Sequence, residues 1–145
     1  MENDIKFYSN SLEYNWLSNF YRSNQKIDGI VYPTNEHYYQ SQKFKDGQLR
    51  KWILLCPKPS YIFLLTRVLK NEPKVYNWDV VKFDIMLKGL RAKFSQNKIL
   101  KQRLLETGDK ILHEDSPYDR TWGINGEDML GKLLMKVREE LRNDQ

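Results

Sequence analysis

The chain has 145 residues with 24 Lys plus Arg against 19 Asp plus Glu, a formal net charge of +5, and is 40% hydrophobic and 13% aromatic. That length suits one domain over 1–145, and the 4 Trp, 9 Tyr and 6 Phe can bury enough area to argue against disorder. The apolar runs at 52–56 and 61–65 are far short of the roughly 18 residues of a membrane span, and residues 1–10 lack the pattern of a secretory signal. The expectation is a cytoplasmic protein with no membrane partner and no obligate protein partner.

The elements are expected to be mainly helical, an α+β arrangement with one small antiparallel hairpin. Residues 26–32 (KIDGIVY) place β-branched residues around Asp28-Gly29, a two-residue hairpin signal. Thr34 or Asn35 then caps a helix running to about residue 45, with Glu36 in its first turn, where negative charge suits the helix dipole. Further helices are expected at 48–56 and 60–70, on either side of Pro57 and Pro59. The next is clearer: over 79–94, Val80, Phe83, Met86, Leu87, Leu90 and Phe94 recur on one side. Residues 97–107 read as another helix, closed by Gly108. A short apolar stretch at 110–113 leads into a long loop, 114–126, rich in Ser, Pro, Asp and Gly. The last helix is expected at 127–141, with Met129, Leu130, Leu133, Leu134, Val137 and Leu141 as its buried stripe.

Cys56 is the only cysteine, so no intrachain disulfide forms, and with His37 and His113 it makes too few soft ligands for zinc. No cofactor or dedicated metal is expected, which leaves a carboxylate site for a hard cation as the open alternative. By segment the net charge is 0 over 1–50, +9 over 51–105 and −4 over 106–145. A basic middle suggests an anionic partner, phosphate being the usual one, against the plainer reading of a solvated lysine-rich face.

Three places could carry chemistry. At 100° per residue Glu36, Tyr39, Gln40 and Lys43 share one arc of about 100°. Glu36 and Lys43 stand too far apart for an ordinary i,i+4 ion pair, so something between them could be gripped by both; the plainer reading is a solvent-facing polar stripe. The loop from Ser116 to Gly123 offers Asp119 beside Trp122, a carboxylate next to a wall for a flat base, or else a turn cap and a core plug. Leu17-Ser18-Asn19-Phe20 could turn with exposed polar edges. Among the basic residues of the 79–94 helix, Arg91 and Lys93 border the apolar arc while Lys82 and Lys88 point away. The planar fork of Arg91 makes it the better candidate for phosphate at the core's rim.

Together Leu17-Ser18-Asn19-Phe20, the run Tyr32-Pro33-Thr34-Asn35-Glu36-His37-Tyr38-Tyr39-Gln40-Ser41-Gln42-Lys43-Phe44, Asn77-Trp78-Asp79, the 90–97 run LRAKFSQN, Asp119 to Gly123, and Leu130-Gly131 resemble the NADAR (YbiA-like) family over nearly the whole chain. The EHYYQSQKF block and the later D-x-x-W-G are its most specific parts. The resemblance implies an N-glycosidase acting on ribose attached to a base nitrogen. The family's known activities are cleavage of ribosylamino-pyrimidine phosphates of riboflavin biosynthesis and removal of ADP-ribose from guanine. Its functional positions match Glu36, Lys43, Trp78, Asp119 and Trp122, with Asn19 and Phe20 near the substrate. The chain departs from the family pattern at Arg67-Val68, where many members have Gly-Arg, and at Gly126-Glu127-Asp128-Met129, where members carry a Gly-rich stretch ending in Asn.

The expected mechanism follows from the bond. Cleaving ribose C1 from nitrogen develops positive charge on the sugar, so a carboxylate stabilises it and an acid protonates the leaving nitrogen. Glu36 and Asp119 are the expected pair. In a second route the sugar opens to an imine and Lys43 exchanges with the base; in the alternative, Lys43 only binds ribose hydroxyls or phosphate. Phe20 and Trp122 would hold the base, and Tyr39, Gln40, Trp78 and Gly123 would complete the site. The expected partner is a nucleotide-like or ADP-ribosylated small molecule, with ADP-ribosylated nucleic acid as its alternative carrier. A nucleic-acid-binding module and a non-catalytic ADP-ribose sensor are the competing classes.

Overall fold

At the Asp28-Gly29 turn both residues take positive φ, 51° and 85°, the backbone a two-residue hairpin demands. The computed structural model describes residues 4–145. Their strands are β1 (Asp4–Phe7), β2 (Arg22–Ile27), β3 (Ile30–Thr34) and β4 (Ile111–Glu114). Their helices are α1 (Asn35–Lys43), α2 (Gly47–Leu54), α3 (Pro59–Val68), α4 (Trp78–Gln96), α5 (Lys98–Glu106) and α6 (Met129–Asn143). The fold is α+β and mainly helical, with β2 and β3 as the expected antiparallel hairpin.

The hairpin is longer than its sequence signal. β2 extends back to Arg22 with a bulge between Arg22 and Gln25, where Asn24 has φ 46°. Its inward residues are Ser23, Gln25 and Ile27, so two of the three buried positions are polar and the alternation is hidden from a hydropathy reading. A second pair adds to the single hairpin expected: β1 runs parallel to β4, with Asp4 opposite Ile111 and Phe7 opposite Glu114. Each strand is four residues long, and a parallel partner more than a hundred residues away leaves no local turn signal.

The helices fall close to their expected places. Thr34 caps α1 by accepting from the His37 backbone N–H at 3.1 Å. The helix ends at Lys43 rather than residue 45 because Phe44 turns extended, bridges Lys74 and buries its ring. Asp46 caps α2 through the Gln48 N–H, and Pro59 opens α3 at its first turn, where its missing N–H costs nothing. Along α4, Met86, Leu87, Leu90 and Phe94 are buried as the spacing requires, but Val80 is 61% exposed because the buried arc is centred on the side that carries Trp78, Met86, Leu90 and Lys93, and Val80 lies beyond its edge.

The main core gathers Phe7, Leu17, Leu90, Phe94, Leu112, Leu130 and Leu134, chiefly from β1, α4, β4 and α6. Helix α6 lies close against β4 because Gly131 has no side chain: a Cβ there would sit 1.8 Å from the Leu112 carbonyl oxygen. A smaller core of Phe44, Leu49, Ile53, Ile62 and Leu69 joins α2 and α3 to the end of α1. Helix α1 is therefore wedged between two cores, and its remaining face is free to line a cavity.

Candidate active site

That remaining face is the Glu36, Tyr39, Gln40, Lys43 arc. All four side chains line one cavity of about 460 Å³. The opposite wall comes from the end of β4 and the loop after it, which contribute Glu114, Ser116, Asp119 and Trp122. Ser18, Asn19 and Phe20 close one end, and Phe63 and Thr66 of α3 stand at another. The loop holds its shape through its own hydrogen bonds. Asp119 Oδ1 accepts from the Thr121 and Trp122 N–H groups at 2.9 and 2.8 Å, and the Ile124 N–H reaches the Glu114 carbonyl at 2.8 Å. Asp119 therefore caps a turn and faces the cavity with the same carboxylate. Trp122 likewise does both tasks, since its ring lines the cavity while packing edge-on to Tyr39 at 5.6 Å and against Phe83 at 5.5 Å.

Charge inside the cavity is crowded. Burial pushes the Glu36 carboxyl up to about 7; the Gln40 amide, which donates to its Oε2 at 3.2 Å, pulls the other way, as does Lys43, while Asp119 adds to the rise. Glu114 is pushed further, to about 8, by burial and then by the charges of Asp119, Glu36 and Asp128. Burial also lowers the Lys43 ammonium, and Lys74 lowers it again, against the pull of Glu36. Carboxyls that hold protons near neutrality beside a lysine whose ammonium is weakened by burial are the usual furniture of acid–base chemistry. Sequence reasoning misses Glu114, because it ends a four-residue strand that itself gives little signal. Its place directly before the Ser, Pro and Asp-rich loop is the available clue.

Glu36 is held from behind by a buried polar network. Its backbone N–H donates to the Asn19 carbonyl at 3.0 Å, and Asn19 Oδ1 accepts from Asn35 Nδ2 at 2.9 Å. Asn35 Oδ1 accepts from Gln25 Nε2 at 2.8 Å, and the same nitrogen reaches the Gly89 carbonyl at 2.9 Å. Lys93, fully buried, donates to the Ser18 carbonyl at 2.8 Å and so pins the turn that carries Asn19. Burial lowers this ammonium to about 7. The polar residues facing inward from β2 belong to this network.

Three expected site residues lie elsewhere. Arg91 is exposed and forks onto Glu140 of α6, Nε to Oε1 at 2.9 Å and Nη2 to Oε2 at 2.7 Å, away from the cavity. The helical wheel places it at the rim of the apolar arc, but α6 covers that edge and supplies the carboxylate. Trp78 is buried behind Tyr39, with ring centroids 5.2 Å apart, and supports the wall rather than forming it. Gly123 is packed within the loop, where a Cβ would meet the Asp119 carbonyl oxygen at 2.8 Å. Of the two lysines expected to be solvated, Lys88 is, in an exposed pair with Asp28. The side chain of Lys82 is only 17% exposed. Among the described residues no group of three or more His, Cys, Asp or Glu is arranged to hold a metal ion.

The NADAR domain family matches residues 6–142. The chain belongs to the NADAR family. It is 40% identical over 141 residues to the N-glycosidase YbiA of Escherichia coli, covering 94% of this chain and 88% of that protein. It is 38% identical over 146 residues to an N-glycosidase of Nostoc punctiforme, covering 96% and 93%. A riboflavin biosynthesis protein of Vibrio vulnificus is 37% identical over 146 residues; the match takes in 98% of this chain but 40% of that protein's length. The NMR structure of E. coli YbiA superposes with a TM-score of 0.86 at 38% identity, over 99% of this chain and 88% of the other. Among the described residues no helix is long and apolar enough to cross a membrane.

Proposed function

We propose that this NADAR protein is an N-glycosidase that hydrolyses the bond between C1 of a ribose and a base nitrogen in a phosphorylated, nucleotide-like substrate. The observation that carries the reading is the convergence of Glu36, Glu114, Asp119 and Lys43 on one cavity walled by Trp122 and Phe20. The names of the E. coli and Nostoc relatives agree with it. Glu114, which holds its proton at neutral pH, is the acid for the leaving nitrogen. Glu36 and Asp119 face the sugar, where a carboxylate stabilises the positive charge that develops at C1. Trp122 and Phe20 hold the base by their flat faces.

Lys43 has a direct role in this reading. The C1–O4 bond breaks as O4 takes a proton from Glu36 and the base nitrogen's lone pair forms an iminium at C1. Lys43 Nζ adds to that carbon and returns a proton to Glu36. Once Glu114 has protonated the base nitrogen the C1–N bond breaks, releasing the base as a neutral amine and leaving a lysine iminium. Water then hydrolyses the lysine imine and releases the sugar. The lowered Lys43 supplies more free amine than an ordinary lysine, and Glu36 on the same helical face can move the protons.

The substrate we favour is ADP-ribose attached to guanine, in a nucleoside or a nucleic acid. A ribosylamino-pyrimidine phosphate is the second reading, favoured by the name of the Vibrio relative. Incubating the protein separately with both substrates and following free base by mass decides between them. Borohydride added during turnover should fix the sugar to Lys43. Normal turnover with no adduct would exclude the imine route and leave direct displacement by water.

A further inference from the structure

Lys43 is the one basic side chain among the described residues that line the cavity, and behind that lining basic side chains from two further segments lie close to it, with a third against the wall residue Phe63. The first is placed by backbone: Phe44 bridges Lys74, and the Val75 N–H donates to the Lys43 carbonyl at 2.9 Å, so residues 73–75 lie alongside the end of α1 and bring Lys74 beside Lys43. The second is Lys82, one turn into α4. Its neighbour Phe83 packs on Trp122, and its side chain, although mostly covered, sets the ammonium 5.4 Å from the Phe83 ring centre with only a loose ionic partner in Asp79 at 3.7 Å. Asp79 is itself 94% exposed. The third is Arg67, whose guanidinium lies 5.3 Å from the ring centre of Phe63, a residue of the cavity wall. Neither Lys74 nor Arg67 takes part in an ion pair among the described residues.

Such crowding is unfavourable by itself. Lys74 and Lys82 both press on Lys43, and only Glu36 and Asp79 relieve it. Cations that repel one another, with Asp79 beside Lys82 exposed to solvent, are stabilised when an anion enters between them. We infer that Lys74 and Lys82, with Arg67 at the outer lip, form the subsite for the phosphoryl group of the substrate. The ribose is thereby oriented with C1 between Lys43 Nζ and the carboxyls of Glu36, Glu114 and Asp119, and its phosphate beyond Lys43 toward Lys74 and Lys82. This inference rests on the proposed reaction for its orientation, and on the geometry of the cations alone for its ligand.

The probe is inorganic pyrophosphate, titrated calorimetrically at low salt into the wild type, Lys74→Ala, the Lys74→Ala/Lys82→Ala double variant and Lys88→Ala. Pyrophosphate should bind the wild type and Lys88→Ala alike, fivefold or more weakly with Lys74 removed, and tenfold or more weakly with both removed. If the double variant does not fold, the exposed Lys74→Ala alone carries the test. Equal binding by all variants, or none by the wild type at millimolar pyrophosphate, overturns the subsite whether or not the protein is a glycosidase. In turnover, removing the phosphate from the substrate should raise KM in the wild type and leave KM of the double variant unchanged. An equal rise in both places the phosphate elsewhere.

Discussion

Replacing Glu36 by Gln should slow turnover by about a hundredfold or more and at the same time stabilise the protein in alkaline solution. The carboxyl is pushed from its ordinary 4.5 to about 7 in the fold, chiefly by burial. At about 1.4 kcal/mol per pH unit, holding it ionised costs the native state roughly 3 kcal/mol as a ceiling. The sign follows from proton counts. Below pH 4.5 both folded and unfolded chains carry the proton, and Glu behaves much as Gln does. Between 4.5 and 7 the unfolded chain ionises first, so wild-type stability falls relative to the variant, and above 7 the difference is full. At about 3 °C per kcal/mol for a chain of this size, Glu36→Gln should melt as much as about 10 °C higher at about pH 8.5 and almost unchanged at about pH 4.5. Thermal unfolding followed by circular dichroism across that range measures it. A difference in Tm that does not change with pH would refute the buried, destabilising carboxyl on which the acid–base assignment rests.

Glu114→Gln should lower kcat by about a hundredfold or more and remove the alkaline limb near pH 8 from the rate profile, since the acid that protonates the leaving nitrogen is gone; a pH–kcat series checks it. Lys93→Met should lower kcat several-fold with little change in KM, because the turn that accepts the Glu36 N–H loses its anchor, and steady-state kinetics read the split. Gly89→Ala should destabilise by about 3 kcal/mol, as its methyl would fall 2.1 Å from Asn35 Oδ1 and 2.7 Å from the Tyr38 ring; urea unfolding measures it. Arg91→Ala should leave kcat/KM unchanged and cost about 0.5 kcal/mol, the worth of a half-exposed ion pair, which urea unfolding also reads.

The contrast between α1 and β1 explains what can be read from the chain. Helix α1 announces itself through a capping threonine, an acidic first turn and a polar arc with helical period, and each of these is local. The same period puts Glu36, Tyr39, Gln40 and Lys43 on one face, and in the fold that face lines a cavity. The strand pair β1 and β4 is fixed by contacts distant in sequence, so Glu114 at its end has only its place before the loop as a signal, although it stands among the site's carboxyls. Nothing in their polarity marks Ser23, Gln25 and Asn35 for burial, because polarity ordinarily means exposure. Here they are buried, since they satisfy one another. Arg91 is misplaced for a related reason: a helical wheel orients a residue on its own helix but does not say which other helix covers that edge. The charge count by segment locates the basic middle, yet only the packing of residues 73–75 against the end of α1 shows that Lys74 of that segment lies beside Lys43.

The central claim is that this cavity breaks a ribose-to-nitrogen bond. The direct measurement is a single-turnover assay with protein in excess over ADP-ribosylated guanosine, or over a ribosylamino-pyrimidine phosphate, with free base and free sugar quantified together by mass. The account predicts that the wild type releases both in equal amounts from at least one of these substrates and that Glu36→Gln does so about a hundredfold or more slowly. No base from either substrate with the wild type, or equal rates with Glu36→Gln, contradicts it.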